Sequence, residues 1–249
     1  MSGHSKWANI KRRKGAADAA RGKVFTKLIR EITVAARVGG GDPDANPRLR
    51  AAVDKARANS MPRDTIERAI ARGSGGVDTT SFEEVQFEGY GAGGVAVLVQ
   101  VLTDNRHRAT ADVRHAFTRT GGNLGTTGCV GFLFRRVGIV TLPTEGVDED
   151  ALLLAAIEAG ADDVSREDDV FEVTCSPEAC DACLEGLRRS GFAPSGSELT
   201  YVATTQARVE GKQAEQILRL VETLEDSDDV QNVYTNAELS DTDLEAAGG

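Results

Sequence analysis

The chain is expected to fold as an α+β protein: an N-terminal three-helix domain followed by two α+β domains of ferredoxin-like type, one inserted in the other. Three observations point to this. The spacing of apolar residues is helical up to about residue 73 and strand-like beyond it. The charge changes sign at the same place. A β-α-β-α-β series over residues 137–203 interrupts elements that would otherwise complete a single covered sheet.

Taken in order, residues 2–23 combine Lys, Arg, Gly and Ala with only Trp7 and Ile10 as large apolar groups. That is too little to bury, so a basic arm, or a short helix pinned by Trp7, is expected. From Val24 the pattern becomes helical, with Phe25, Leu28, Ile29 and Ile32 on one face and Ala35 and Ala36 continuing it, until Gly39, Gly40 and Gly41 end the run. A second helix spans about Pro47 to Ala58, with Leu49, Ala52, Val53 and Ala56 inward and Arg48, Arg50, Lys55 and Arg57 outward. A third has Ser60 as its N-cap, Pro62 near its first turn, Ile66, Ala69 and Ile70 as its stripe, and Gly73 just past its end. Ser74, Gly75 and Gly76 then read as a linker.

Beyond the linker, Phe82, Val85 and Phe87 mark one strand and Val95 to Leu102 another, joined through the glycines at 89–94. Asp104 is placed to cap a helix from about Asn105 to Thr120, which would bury Ala109, Val113, Ala116 and Phe117 before Gly121 and Gly122 stop it. A strand near Gly131 to Arg135 follows. The inserted block then comprises strands at Gly138 to Leu142, Val170 to Cys175 and Leu199 to Ala203, with helices at Asp148 to Ala159 and Pro177 to Arg189. A last helix, Gly211 to Glu225, and a strand, Val230 to Tyr234, supply what the interrupted sheet lacks. The expected domains are therefore 1–76; 77–136 with 204–240; the inserted 137–203; and an acidic tail, 241–249.

The net charge of -10 conceals a strong asymmetry. Residues 1–75 hold 17 Lys+Arg against 7 Asp+Glu, a net of +10, whereas the remainder holds 12 against 32, a net of -20. Such a division points to a polyanion-binding module attached to a solubilising one. The basic opening has no apolar h-region, and the longest apolar run, Val95 to Leu102, is too short to span a bilayer. Four cysteines are too few for a disulfide scaffold, so reduced thiols and a cytoplasmic location are expected, with no membrane partner.

The candidate nucleic-acid-binding residues are Lys6, Trp7, Lys11, Arg12, Arg13, Lys14, Arg21, Lys23 and Lys27, with Arg48, Arg50, Lys55 and Arg57 on the second helix. Long cationic side chains on an arm and a helix face suit a phosphate track. If about six of them neutralised phosphates, binding to duplex DNA would fall with a log-log salt slope of roughly -5. Trp7 could stack on a base, but a lone Trp in a polar arm more often serves as its anchor.

Other motifs point to ordinary structure. The Gly89 to Gly94 stretch is followed by a strand, so it lacks the helix N-terminus of a dinucleotide loop. The Gly121 to Gly128 glycines lack the ending of a P-loop and read as a tight turn whose amides could meet an anion. Cys180 and Cys183 form a CxxC near Cys175, but they share a helix face with Leu184 and Leu187 and have no histidine nearby, so buried thiols are expected rather than a metal site. His4, His107 and His115 belong to no catalytic motif. No enzyme activity and no cofactor are expected.

The segments SGHSKWANIKRRKGAADAARGKVFTKLIREI, ANPRLRAAVDKARANSMPRDTIERAI and GGNLGTTGCVGFLF resemble the YebC/PmpR family, which includes mitochondrial translational activators of cytochrome oxidase. The resemblance runs from Ser2 to about Glu238; Cys129 departs from it where a small hydroxyl residue is expected. It implies three domains around an acidic cleft. It also implies either a DNA-binding transcriptional regulator or a ribosome-associated factor that binds ribosomal RNA and assists synthesis of proline-rich stretches; apart from the resemblance, a monomer is expected, although the sequence does not fix the oligomeric state. The nucleic-acid residues it implies are Lys6, Lys11, Arg12, Arg13, Lys14, Arg21 and Lys23, with Arg48, Arg50, Lys55 and Arg57 following. No helix-turn-helix is expected, because the second helix lacks the short turn and partner that motif needs.

Overall fold

The computed structural model of the chain describes residues 18–75, 82–167, 169–240 and 243, with residues 18–21 described by their backbone alone. Residues 2–17 of the expected basic arm, the end of the linker at Gly76 and most of the acidic tail lie outside the described residues; residues 18–23, expected in the arm, are the first turns of a helix expected only from Val24.

Helix α1 (Asp18–Gly39), α2 (Pro47–Ala58) and α3 (Arg63–Ser74) form the N-terminal bundle. Its core is Leu28, Ile32, Leu49, Val53, Met61 and Ile66 with small alanines between them. Asn46 caps α2 by accepting from the Leu49 amide at 3.1 Å, and its own amide donates to the carbonyls of Ala35 at 2.8 Å and Gly40 at 2.9 Å. One buried side chain thus satisfies the end of one helix and the start of the next. Two expectations are corrected here. Ser60 does not cap α3; it sits in the turn at φ 59, and α3 starts after Pro62 with no side-chain cap. Gly73 lies within α3 rather than past it, because α1 and α3 cross there: a Cβ would stand 2.3 Å from the Thr33 carbonyl and 2.8 Å from the Ala36 Cβ.

The first sheet is antiparallel, ordered β3-β1-β2-β9, from β1 (Glu83–Tyr90), β2 (Ala96–Thr103), β3 (Asn123–Leu124) and β9 (Val230–Thr235). Strands β1 and β2 pair from Glu83↔Thr103 to Tyr90↔Ala96. Helices α4 (Arg106–Arg119) and α7 (Lys212–Glu225) cover one face, packing Val113, Phe117, Ile217, Leu220 and Leu224 on Val97, Val99 and Val101. The other face sets Ala96, Leu98 and Tyr234 against Val130 and Phe134, with Tyr201 and Ala203 alongside. Strand β2 is buried on both sides, which is why its sequence is a nearly unbroken apolar run. The cap of α4 is Asn105, which accepts from the Arg108 amide at 3.0 Å, and not the expected Asp104.

Between β3 and β9 the chain builds the second antiparallel sheet, ordered β5-β6-β4-β7. This part of the chain runs, in order, β4 (Phe134–Pro143), α5 (Glu149–Glu158), β5 (Asp163–Glu167), β6 (Val170–Cys175), α6 (Cys180–Arg189) and β7 (Gly196–Ala203). This is the βαββαβ order of a ferredoxin-like unit. A short parallel pair, β8 (Ala207–Arg208) with β10 (Ala237–Glu238), closes the chain. The two strands expected at 131–135 and 138–142 are a single strand, β4: Gly131–Leu133 forms a 3-10 turn, and the strand from Phe134 pairs with both β6 and β7. Strand β5 escaped the sequence reading because DVSRE, half-exposed at the sheet edge, lacks the apolar alternation that marks a strand. Cys175, Cys180 and Cys183 are free thiols in the core between this sheet and its helices, and burial pushes the Cys175 thiol up to about 12. Among the described residues no group of three or more His, Cys, Asp or Glu side chains could hold a metal ion, and no helix is long and apolar enough to cross a membrane.

Candidate nucleic-acid interface

Of the candidate residues, Lys6, Trp7, Lys11, Arg12, Arg13 and Lys14 lie outside the described residues, as does the side chain of Arg21. The remaining six divide into two sets. Lys23, Lys27 and their neighbour Arg30 recur one turn apart on α1, so they form one row. That row faces the turn that follows α7. Lys23 Nζ is 3.0 Å from Asp226 Oδ1, and Lys27 Nζ donates to the Glu225 carbonyl at 2.6 Å. Arg30 donates to the Asp228 carbonyl at 2.7 Å and to Asp229 Oδ1 at 2.6 Å. The C-terminal end of α7 carries the partial negative charge of its unsatisfied carbonyls, so cations from the bundle dock there.

Arg48 also points at the body. It makes a forked contact to Glu31 at 2.7 and 3.0 Å and reaches Glu84 on β1 at 2.6 Å. The hydrogen bonds it donates to Glu31, followed by the field of both carboxylates, raise its pKa further despite partial burial. Lys55 stands 3.8 Å from Glu198 on β7. Arg50 and Arg57 keep local partners only: Arg50 donates to the carbonyls of Pro43 and Asp44, and Arg57 is 3.3 Å from Asp54 one turn back. Lys23, Lys27, Arg48 and Lys55 therefore join the bundle to the acidic body, and Arg50 and Arg57 are the two whose exposed, locally paired heads a phosphate would displace most readily.

The hub of the junction is Asp229, which the sequence reading passed over. It is 6% exposed and accepts from Thr103 Oγ1 at 2.9 Å, Arg108 Nη2 at 2.7 Å and Arg30 Nη1 at 2.6 Å. Burial pushes its carboxyl pKa up, but hydrogen bonds from Arg108, Thr103 and Arg30 prevail and hold it below the usual carboxylate range. Nothing in the run Asp226-Ser227-Asp228-Asp229 distinguishes Asp229 from its neighbours; its burial comes from the turn between α7 and β9.

A second missed residue is Glu88, 3% exposed on β1. Its carboxylate accepts from the amides of Gly128, Val130 and Gly131 at 2.9, 2.8 and 2.7 Å. Burial raises its pKa and those three amides lower it, with a net lowering. The Tyr90 hydroxyl donates to the Cys129 carbonyl at 2.9 Å. The glycine loop therefore does have amides aimed at an anion, as its sequence suggested, but the anion is a side chain of the protein itself.

Only residues 59–62 separate α2 from α3, the short connection that the sequence predicts. Helix α3 packs along α1, and two of its outward cations are paired with its own acids: Arg63 with Glu67 at 2.7 Å and Arg68 with Asp64 at 2.9 Å. Such a surface offers little to base edges, which are read by unencumbered donors.

Fold and junction together define a basic helical module held by cross-domain ion pairs on an acidic body of two antiparallel sheets. Residues 5–76 match the family model described as the TACO1/YebC protein N-terminal domain, and residues 82–237 match the TACO1/YebC second and third domain. The chain belongs to the TACO1/YebC family. It is 54% identical to a "Probable transcriptional regulatory protein" of Geotalea uraniireducens, over 98% of this chain and 99% of that one. It is 53% identical to "Probable transcriptional regulatory protein GSU1074" of Geobacter sulfurreducens, with the same coverage. Among solved structures it is similar to the conserved hypothetical protein Aq1575 of Aquifex aeolicus, with a TM-score of 0.82 and 44% identity over 90% of this chain and 93% of that one. A regulatory role follows from these relatives.

Proposed function

We propose that this regulator binds duplex DNA through its N-terminal domain, gripping phosphates rather than reading base edges. The observation that carries the reading is the segregation of charge, +10 over residues 1–75 against -20 beyond them. Its densest part, Lys11 to Lys14, precedes a bundle in which Lys23, Lys27, Arg30, Arg48 and Lys55 are engaged with the body. The body's acids hold the module in place, and their field repels misplaced DNA. The relatives' name, probable transcriptional regulatory protein, agrees with this reading.

A second reading, a translation factor bound to ribosomal RNA that assists synthesis of proline-rich stretches, is favoured by one feature. Arg63 and Arg68 on the outward face of α3 are paired with acids of the same helix, and backbone contacts without base readout suit folded RNA as well as duplex DNA. The two are separated by sedimentation through a ribosome gradient at moderate salt, run beside promoter-fragment binding against shuffled competitor DNA. Retention of duplex DNA without ribosome association, with shuffled competitor displacing the promoter fragment as readily as unlabelled promoter does, is the expected result. Co-migration with ribosomes and no retention of duplex DNA would overturn the DNA reading in favour of RNA.

A further inference from the structure

The body is acidic, but one of its helices is not. Helix α4 carries Arg106, Arg108, Arg114 and Arg119, four of the 12 Lys+Arg beyond residue 75, and both histidines of that region, His107 and His115; its only acid is Asp112. Since a helix advances 100° per residue, the buried positions Ala109, Val113, Ala116 and Phe117 leave His107, Ala111, Arg114, His115 and Thr118 on the opposite face, with Arg119 at its edge. All six are exposed. The arginines at the N-terminal end are occupied, Arg106 by Glu83 at 3.8 Å and Arg108 by Asp104 and Asp229. Further along the helix the side chains of His107, Arg114, His115 and Arg119 make no ion pair or hydrogen bond with any described residue.

The helix is also fixed relative to the bundle. Asp229 receives Arg30 of α1 on one carboxylate oxygen and Arg108 of α4 on the other, so two guanidinium groups from the two domains meet on one side chain. The α1 cation row and the α4 face therefore join through a shared, buried anion, and the free cations of α4 extend from that point along the body. The exposed face of α4 carries no Phe, Tyr or Trp on which an unpaired base could stack, as single-strand-binding grooves provide. It offers charge and hydrogen-bond donors on a convex rod.

We infer that the exposed face of α4, through Arg114 and Arg119 with His107 and His115 beside them, is a second contact for the phosphate backbone of duplex DNA held by the N-terminal domain. This rests on the DNA reading above and deepens it. The bundle and its arm grip one stretch of backbone, and α4 guides the continuing duplex across an otherwise repellent body. The binding footprint then exceeds that of the N-terminal domain, and contacts to the body contribute to the salt dependence.

The test uses the full chain and a short duplex of mixed sequence, with affinity measured across a salt series. Arg114→Glu/Arg119→Glu is compared with wild type and with Arg188→Glu/Arg189→Glu on α6, which changes net charge equally at another place on the body. Loss of two phosphate contacts should reduce the magnitude of the log-log salt slope by roughly 2 and weaken binding at low salt by about tenfold or more, beyond any effect of the α6 control. Arg114→Gln/Arg119→Gln, checked by its unchanged melting temperature, should give the same change in slope without charge reversal. Equal slopes and affinities for the α4 and α6 variants would overturn the inference while leaving the DNA reading intact. Failure of the wild-type protein to hold the duplex would overturn both. If the α4 variants lost structured RNA but kept duplex DNA, the assignment of this face to DNA would be wrong.

Discussion

The N-terminal bundle and helix α4 use positive charge in opposite ways. The bundle belongs to the segment with net charge +10, yet Lys23, Lys27, Arg30 and Arg48 are spent on carbonyls and carboxylates, most of them some 200 residues away in sequence. Helix α4 belongs to the segment with net charge -20, yet it keeps Arg114 and Arg119 clear of any described partner. Net charge along a chain therefore says which segment attracts a polyanion from a distance, but not which side chains remain to touch it. Contact depends on what the fold has already paired, and cations from a basic segment are the first to be claimed by an acidic neighbour.

Four substitutions break or sharpen that comparison. The largest effect is expected from Phe117→Ala, which touches no charge. Phe117 is fully buried between α4 and the first sheet, so denaturant unfolding should show a loss of about 3–5 kcal/mol. Asp229→Asn should come next, at about 2–3 kcal/mol, because Arg30 and Arg108 lose the anion that joins the domains. Limited proteolysis near the bundle should rise in that variant, and an unchanged melting temperature would show that the junction is held by apolar contacts instead.

Acid stability sharpens the same point. The Asp229 and Glu88 carboxyls both titrate below their usual range in the folded protein. The stability they contribute is complete above the unfolded carboxylate value of roughly 4 and is lost as pH falls through their lower folded values. Asp229→Asn should therefore flatten the acid limb of a melting-temperature profile. Glu88→Gln should cost about 1–2 kcal/mol, since an amide oxygen cannot match a carboxylate that takes three backbone donors. Backbone amide exchange at Gly128, Val130 and Gly131 should accelerate with it. Lys23→Ala should have the smallest effect, under about 1 kcal/mol and vanishing at high salt, because its pair with Asp226 is exposed.

Much of the fold was legible because burial leaves a periodic trace. The three helices of the bundle, the apolar strand β2 and helix α7 all follow from the spacing of large side chains. Where that trace was weak the reading failed. Edge strand β5 has little to bury, and β4 was divided in two because Arg135 and Arg136 interrupt its apolar pattern. Gly73 looked like a helix end because glycine usually marks one, and only the crossing of α1 and α3 reveals that its missing side chain makes room for a carbonyl.

The sequence by itself determined most of the elements, the family and the division of charge, since each depends on residues near one another along the chain. The tertiary structure alone decided which charges are free. Asp229 and Glu88 become buried anions, and Lys23 and Arg48 become braces, only when distant segments meet, and an ion pair between residues 200 positions apart leaves no periodic mark for a linear reading to find. The same reason hid α4: its cations stand out only after the fold has shown that nothing described has paired with them.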